Sequence, residues 1–118
     1  MMFIVELAVK DYLNQAQDVP AFMEVPETPP AAYIVVEKEG SSVSNHIHTD
    51  SVTVLSHAAS LYEAILLNER LKPIMAAMVT LPNVSRVELE TDYDFTDPST
   101  KTYRYKADYD ITYMEGTT

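Results

Sequence analysis

Apolar and polar residues recur along this chain with two different periods, and the changes of period mark its elements. Over residues 2–16, Ile4, Val5, Ala8, Tyr12 and Ala16 return at three- and four-residue spacing, uninterrupted by Gly or Pro, which predicts an amphipathic helix. Over residues 18–31 the pattern stops, because Pro20, Pro26, Pro29 and Pro30 each remove a backbone donor. At most residues 21–25 form a short strand there, at a sheet edge where missing amides are tolerated. A linker between domains is the other reading, but residues 2–16 are too few to make a domain.

Residues 33–39 (Tyr-Ile-Val-Val-Glu-Lys-Glu) are rich in β-branched and aromatic types and predict a strand. Gly40-Ser41-Ser42-Val43-Ser44 reads as a flexible connection. A second strand follows over about residues 45–57, with Val52 and Val54 on one face and Thr53 and Leu55 on the other. Its length and low charge place it near the middle of a sheet. Ser60-Leu61-Tyr62-Glu63 is a capping-box pattern that opens a second helix. Ala64, Leu67, Leu71, Ile74, Met75 and Met78 form its apolar stripe, and Leu81-Pro82-Asn83 ends it. Pro73 lies inside the stripe and is expected to kink the helix or restart it near Lys72.

The last third alternates with period two. Val87, Leu89, Thr91, Tyr93 and Phe95 interleave with Arg86, Glu88, Glu90, Asp92 and Asp94. After a Thr96-Asp97-Pro98 turn, Tyr103, Tyr105, Ala107, Tyr109, Ile111 and Tyr113 interleave with Thr102, Arg104, Lys106, Asp108, Asp110 and Thr112. This predicts a half-buried antiparallel hairpin. Charge matching favours a register in which paired numbers sum to 194, setting Glu90 against Arg104, Glu88 against Lys106 and Arg86 against Asp108. A sum of 196 also matches three pairs, but opposes Glu88 to Asp108. The whole reads as one α+β domain over residues 1–118, in the order α-β-β-β-α-β-β. Its expected core is an antiparallel sheet of four to five strands, with two main helices packed on one face.

Composition narrows the function. A length of 118 residues fits one domain, and the absence of cysteine excludes disulfides and thiolate metal sites. The start has no basic flank and Glu6 cuts its apolar run short, so a secretory signal is not expected. No apolar stretch reaches the roughly 20 residues of a membrane span. These features predict a soluble protein with no membrane association. Eight basic against eighteen acidic residues give a net charge of −10, which supplies no footprint for specific nucleic-acid binding. The same balance suits a surface that DNA slides past, or serves solubility alone.

Candidate chemistry is sparse. No Gly-x-Ser-x-Gly elbow occurs, and two glycines, Gly40 and Gly116, cannot build a phosphate-cradling loop. His46, His48 and Asp50 would share a strand face and carry zinc-ligand chemistry, but two imidazoles and a carboxylate beside a loop are also an ordinary solvated face. No metal site is assigned. Glu88, Glu90, Asp92 and Asp94 line the polar side of an alternation, where water rather than burial sets their acidity. Tyr103, Tyr105, Tyr109 and Tyr113 form a stripe that fits either core or a subunit interface. No catalytic residue and no cofactor are expected.

A series of segments nonetheless has a familiar cadence. Val25-Pro26-Glu27-Thr28-Pro29-Pro30 leads into Tyr33-Ile34-Val35-Val36-Glu37, and Ala59-Ser60-Leu61-Tyr62-Glu63-Ala64 opens a helix. Then come Asn83-Val84-Ser85-Arg86-Val87-Glu88-Leu89, Tyr93-Asp94-Phe95-Thr96-Asp97 and Tyr103-Arg104-Tyr105-Lys106-Ala107-Asp108-Tyr109-Asp110-Ile111. Over roughly residues 20–114 the chain resembles the tail-terminator or tail-completion proteins of long-tailed phages and prophages of Gram-positive hosts. The resemblance is one of overall cadence rather than of any single motif, and Pro73 is its chief departure. It implies a virion structural protein, made in the bacterial cytoplasm and carried in the tail. It implies self-assembly as a ring, typically a hexamer, formed on the tail as template. The ring caps the tail tube, so the major tail protein and a head-completion protein are the implied partners, with no catalytic residues or cofactors.

Ring closure needs a heterologous contact, for which exposed strand edges and hairpin tips are natural. The candidate contacts are the tip Gly40, Ser41, Ser42, Val43 and Ser44, the tip Thr96, Asp97, Pro98 and Ser99, and the tyrosines Tyr103 and Tyr105. Another connector or tail-assembly component is the nearest rival. A small-ligand-binding or enzyme domain is the rival from another class, and it calls for ionisable groups on the inward sheet face. The hairpin's inward positions carry none, although its tyrosines could line a pocket.

Overall fold

The computed structural model describes residues 3–44 and 47–114. Its elements run α1 (Val5–Ala16), β1 (Ala21–Phe22), β2 (Tyr33–Ser44), β3 (Ile47–His57), α2 (Leu61–Ala76), β4 (Val84–Asp94) and β5 (Arg104–Met114). This is the expected α+β order, α-β-β-β-α-β-β. The strands form one sheet in the order β1-β2-β3-β5-β4, so β3 holds the central place that its low charge implied. The sheet is mixed rather than wholly antiparallel. Edge strand β1 runs parallel to β2, pairing Ala21 with Ile34 and Phe22 with Val35, while every other pairing is antiparallel. Both side-chain polar groups of Asn14 reach down from α1 to hold Ala21, its amide at 2.8 Å and its carbonyl at 3.1 Å.

The helices cover one face. In α1 the buried stripe is Val5, Val9 and Leu13, with Ala8 and Tyr12 beside it, whereas Ile4 and Ala16 are exposed. The expected stripe is therefore corrected: four-residue steps from Val5 bury better than the mixed steps from Ile4. Ser60 caps α2 as predicted, its hydroxyl accepting from the Glu63 amide at 3.2 Å. Ala64, Leu67, Leu71 and Met75 turn inward together with Asn68. Pro73 does not end the helix. It sits on the exposed side, α2 runs through it to Ala76, and a short 3₁₀ turn over Ala77–Thr80 continues the element. Tyr12 donates to the Ile74 carbonyl at 2.6 Å and ties the helices together. Beneath them lies the main core, with Ile34, Val36, Val52, Val54, Ala107, Tyr109 and Ile111 from the sheet.

Two further expectations are corrected at the strand ends. Residues 40–44 are not a loop but the distal half of β2, paired with β3 from Gly40–Ser51 to Ser44–Ile47 after a bulge at Glu39. The expected strand start at Asn45 and His46 lies outside the described residues. The hairpin register is neither 194 nor 196. Pairs from Arg86–Thr112 to Leu89–Tyr109 sum to 198, and pairs from Thr91–Asp108 to Asp94–Tyr105 sum to 199, the step between them being a bulge at Glu90.

That bulge changes which way the end of β4 faces. An extra residue moves every later side chain to the other side of the sheet. Asp92, opposite Ala107, turns toward α2, while Tyr93 and Phe95 turn to the face that carries no helix. The expected clean alternation therefore holds only for the first half of β4.

Candidate functional site

The expected contact residues lie at opposite ends of the sheet. Gly40, Ser41, Ser42, Val43 and Ser44 are all exposed, with Val43 at 60 %. They are uncharged, and β1 covers β2 only at Ile34 and Val35, so their outer edge faces no strand. Thr96, Asp97, Pro98 and Ser99 form the β4–β5 connection at the other end. Asp97 organises it: its backbone bridges to Thr102, and its carboxylate accepts from the Ser99 amide at 3.0 Å and hydroxyl at 2.7 Å, the Ser99 bonds foremost holding that carboxyl below the usual range. The next turn passes through Lys101 with φ of 54°, a left-handed conformation unusual for a side-chain-bearing residue.

The tyrosine stripe divides. Tyr109 and Tyr113 are buried on the helix side, and burial pushes the Tyr109 hydroxyl up to about 12. Tyr103 and Tyr105 are half-buried, and the Tyr103 carbonyl accepts from the Ala58 amide at 3.2 Å to anchor the strand entry. The structure thus groups Tyr103 and Tyr105 with the Thr96–Ser99 connection and far from Gly40–Ser44.

His48 and Asp50 do share a face, but it is the helix side and not a solvated one. Asp50 is fully buried and accepts from the Tyr113 hydroxyl at 2.6 Å, while His48 stacks on the Tyr113 ring at 5.0 Å. The third expected donor, His46, lies outside the described residues. Among the described residues no three His, Asp or Glu side chains are placed to hold a metal. Asp92 is the other carboxylate drawn inward. It accepts from Asn68 at 2.8 Å and Lys72 at 2.9 Å, and these two donors, Lys72 foremost, hold its carboxyl below the usual range. The pair explains the buried Asn68, whose amide would otherwise lack a partner beneath the helix.

The sequence reading missed the helix-free face of the hairpin. At its β4–β5 connection end, the Arg104 guanidinium lies 4.6 Å from the Phe95 ring centre, and its Nε donates to the Phe95 carbonyl at 2.7 Å. Lys106 stands 5.1 Å from Phe95 and 5.7 Å from Tyr93, and pairs with Glu39 at 3.2 Å. Hydrogen bonding to Tyr93 is the main reason its ammonium holds its proton more strongly than usual. Further along the same face Glu88 opposes Asp110, and Arg86 pairs with Glu88. A shallow concavity of about 230 Å³ lies here among Thr49, Arg86, Glu88, Glu90, Asp110 and Thr112. Only the bulged register brings these groups together, and no residue pattern announces a bulge at Glu90.

No protein-family model matches the chain, and no curated protein is significantly similar to it.

Proposed function

We propose that this chain is a virion structural subunit of the tail-terminator kind, which caps the tail tube of a long-tailed phage as a ring and offers the head-joining surface. The reading rests on the sequence cadence described above together with one structural observation. The distal half of β2 is exposed, uncharged and unpaired along its outer edge. Natural sheets usually blunt such edges with charge, and β4 at the other side does so with Glu88, Glu90 and Asp94. An unblunted edge fits a strand-mediated contact with a neighbouring subunit.

The two candidate contact regions, Gly40–Ser44 and Thr96–Ser99, stand at opposite ends of a body 44 Å long and about 25 Å across. Opposed contact regions suit head-to-tail neighbours, which close into a ring when the rotation divides the circle. The major tail protein and a head-completion protein are the partners this reading requires. Electron microscopy of tail tubes polymerised with and without the protein tests it. The expected result is tubes of fixed length capped at one end. Tubes that grow unchanged would remove the terminator role and favour another connector component.

A further inference from the structure

Short side chains at two strand junctions leave a hollow beside the first turns of α2. Ala31 and Ala32 lead into β2, Ala58 and Ala59 follow β3, and with Leu66 and Leu67 they line a cavity of about 250 Å³. Leu67 is buried but Leu66 stays 43 % exposed, so the hollow opens to solvent over apolar surface. Arg70, one helical turn beyond Leu66, also lines it. No described carboxylate lies in ion-pair range of Arg70, whereas Glu63, the acid at the other end, is engaged by the Ser60 hydroxyl. At about 250 Å³ the hollow is smaller than the roughly 300–1,000 Å³ of sites for drug-sized molecules, and suits a side chain or two.

The same chain exposes a segment that matches it. Met23-Glu24-Val25-Pro26-Glu27 leaves edge strand β1 and belongs to no strand of the sheet. A cleft of about 720 Å³ lies between this segment and Lys10 and Asn14 of α1. Val25 is 56 % exposed, and the flanking Glu24 and Glu27 make no ion pair with any described residue. Pro26 fixes its own φ and biases Val25 toward an extended backbone, so the segment loses little freedom on docking.

We propose that a second copy of this chain inserts Val25 into the hollow, with Arg70 taking the flanking carboxylates Glu24 and Glu27 as counter-ions. Both sides of this charge match are unengaged within one chain, and each copy carries one arm and one hollow. Docking removes Val25 and Leu66 from water together, which is the apolar gain that the open hollow forgoes. A five-residue arm covers less surface than a standard interface, so the contact is weak and exchanges rapidly. It uses neither residues 40–44 nor residues 96–99, and so goes beyond the ring contacts proposed above.

Disulfide trapping tests this, because the chain has no cysteine of its own. Val25→Cys protein is mixed with Leu66→Cys protein under mild oxidation, and the mixed dimer is measured on a non-reducing gel. The control replaces Leu66→Cys with Val79→Cys. Val79 is equally exposed at 44 %, but it lies about 20 Å further along the same helical stretch. The mixed dimer with Leu66→Cys is expected to form at least about tenfold faster than the control, since only correctly placed sulfurs can bridge. Adding Arg70→Glu to the Leu66→Cys copy should remove most of that advantage, with circular dichroism confirming the fold. Glu24→Lys with Glu27→Lys on the Val25→Cys copy should then restore it. Equal rates for Leu66→Cys and Val79→Cys overturn the proposal and leave the hollow to a partner other than a second copy. A Leu66→Cys advantage indifferent to both charge reversals overturns the pairing with Arg70. No tail is needed, so failure here leaves the terminator reading standing, and uncapped tubes would leave this contact standing.

Discussion

His57 shows how one buried ring gives the molecule a pH dependence. It is 3 % exposed, stacks on Tyr33 with ring centres 4.2 Å apart, and its Nδ1 has no hydrogen-bond partner among the described residues. Burial is the main reason its pKa falls to about 4, with the nearby Arg104 charge adding to the effect. The unfolded chain takes up this proton near pH 6.5, but the folded chain only near 4. Between those values the unfolded state holds more protons, so stability is lost as pH falls from 6.5 toward 4 and the loss levels off below. His57→Phe keeps the stack and removes the proton site. Thermal unfolding from pH 7.5 to 3.5 is expected to show a smaller fall in Tm for the variant, the difference between the curves growing only inside that window. Parallel curves would mean that the folded protein binds this proton as readily as the unfolded chain.

At the scale of elements, what was legible in the sequence follows from how local each signal is. The Ser60 cap, the inward stripe of α2 and the central place of β3 rest on neighbouring residues or on composition, and they could be read directly. The hairpin register could not, because Glu90 fits a straight strand as well as a bulged one. What holds the bulged form is tertiary: Asp92 reaches Asn68 and Lys72 on α2, a helix more than fifteen residues earlier in the chain. The candidate contact residues differ in exposure: Gly40–Ser44, Pro98 and Ser99 are exposed, whereas Thr96, Asp97, Tyr103 and Tyr105 are half-buried. Residues 40–44, whose glycine and serines read as a flexible connection, continue β2. Pro73 is a second local signal whose restart reading fails, since α2 runs on through it to Ala76. Its ring gives up one helical hydrogen bond on an exposed face, where no packing repays it. Pro73→Ala is expected to raise stability by about 1–3 kcal/mol in urea unfolding, below the full propensity difference of about 3 kcal/mol. No gain would show that the helix has already adjusted around the ring.

For the whole molecule, the core and the proposed contact edge are different parts, which allows the proposed contact to be tested apart from stability. The main core lies between the helices and one sheet face, with a smaller cluster of Tyr33, Val35 and Leu55 on the other, and the distal half of β2 contributes no buried side chain to either. Val43 is the apolar side chain of that segment, 60 % exposed and paired across the sheet with His48. An exposed substitution away from core and caps usually changes stability by no more than about 0.5 kcal/mol. Val43→Asp should therefore leave Tm within a few degrees of wild type, since about 1 kcal/mol shifts a domain of this size by roughly 4–8 °C. A carboxylate set into a strand-mediated contact between subunits would still oppose pairing, because the charge would have to lose its water. The variant is thus expected to fold normally, yet to leave tail tubes uncapped and variable in length. Normal folding with normal capping would release this edge from assembly and shift attention to the Thr96–Ser99 connection. A collapse of Tm would instead show that this strand end supports the fold, against its exposure on both sides of Val43.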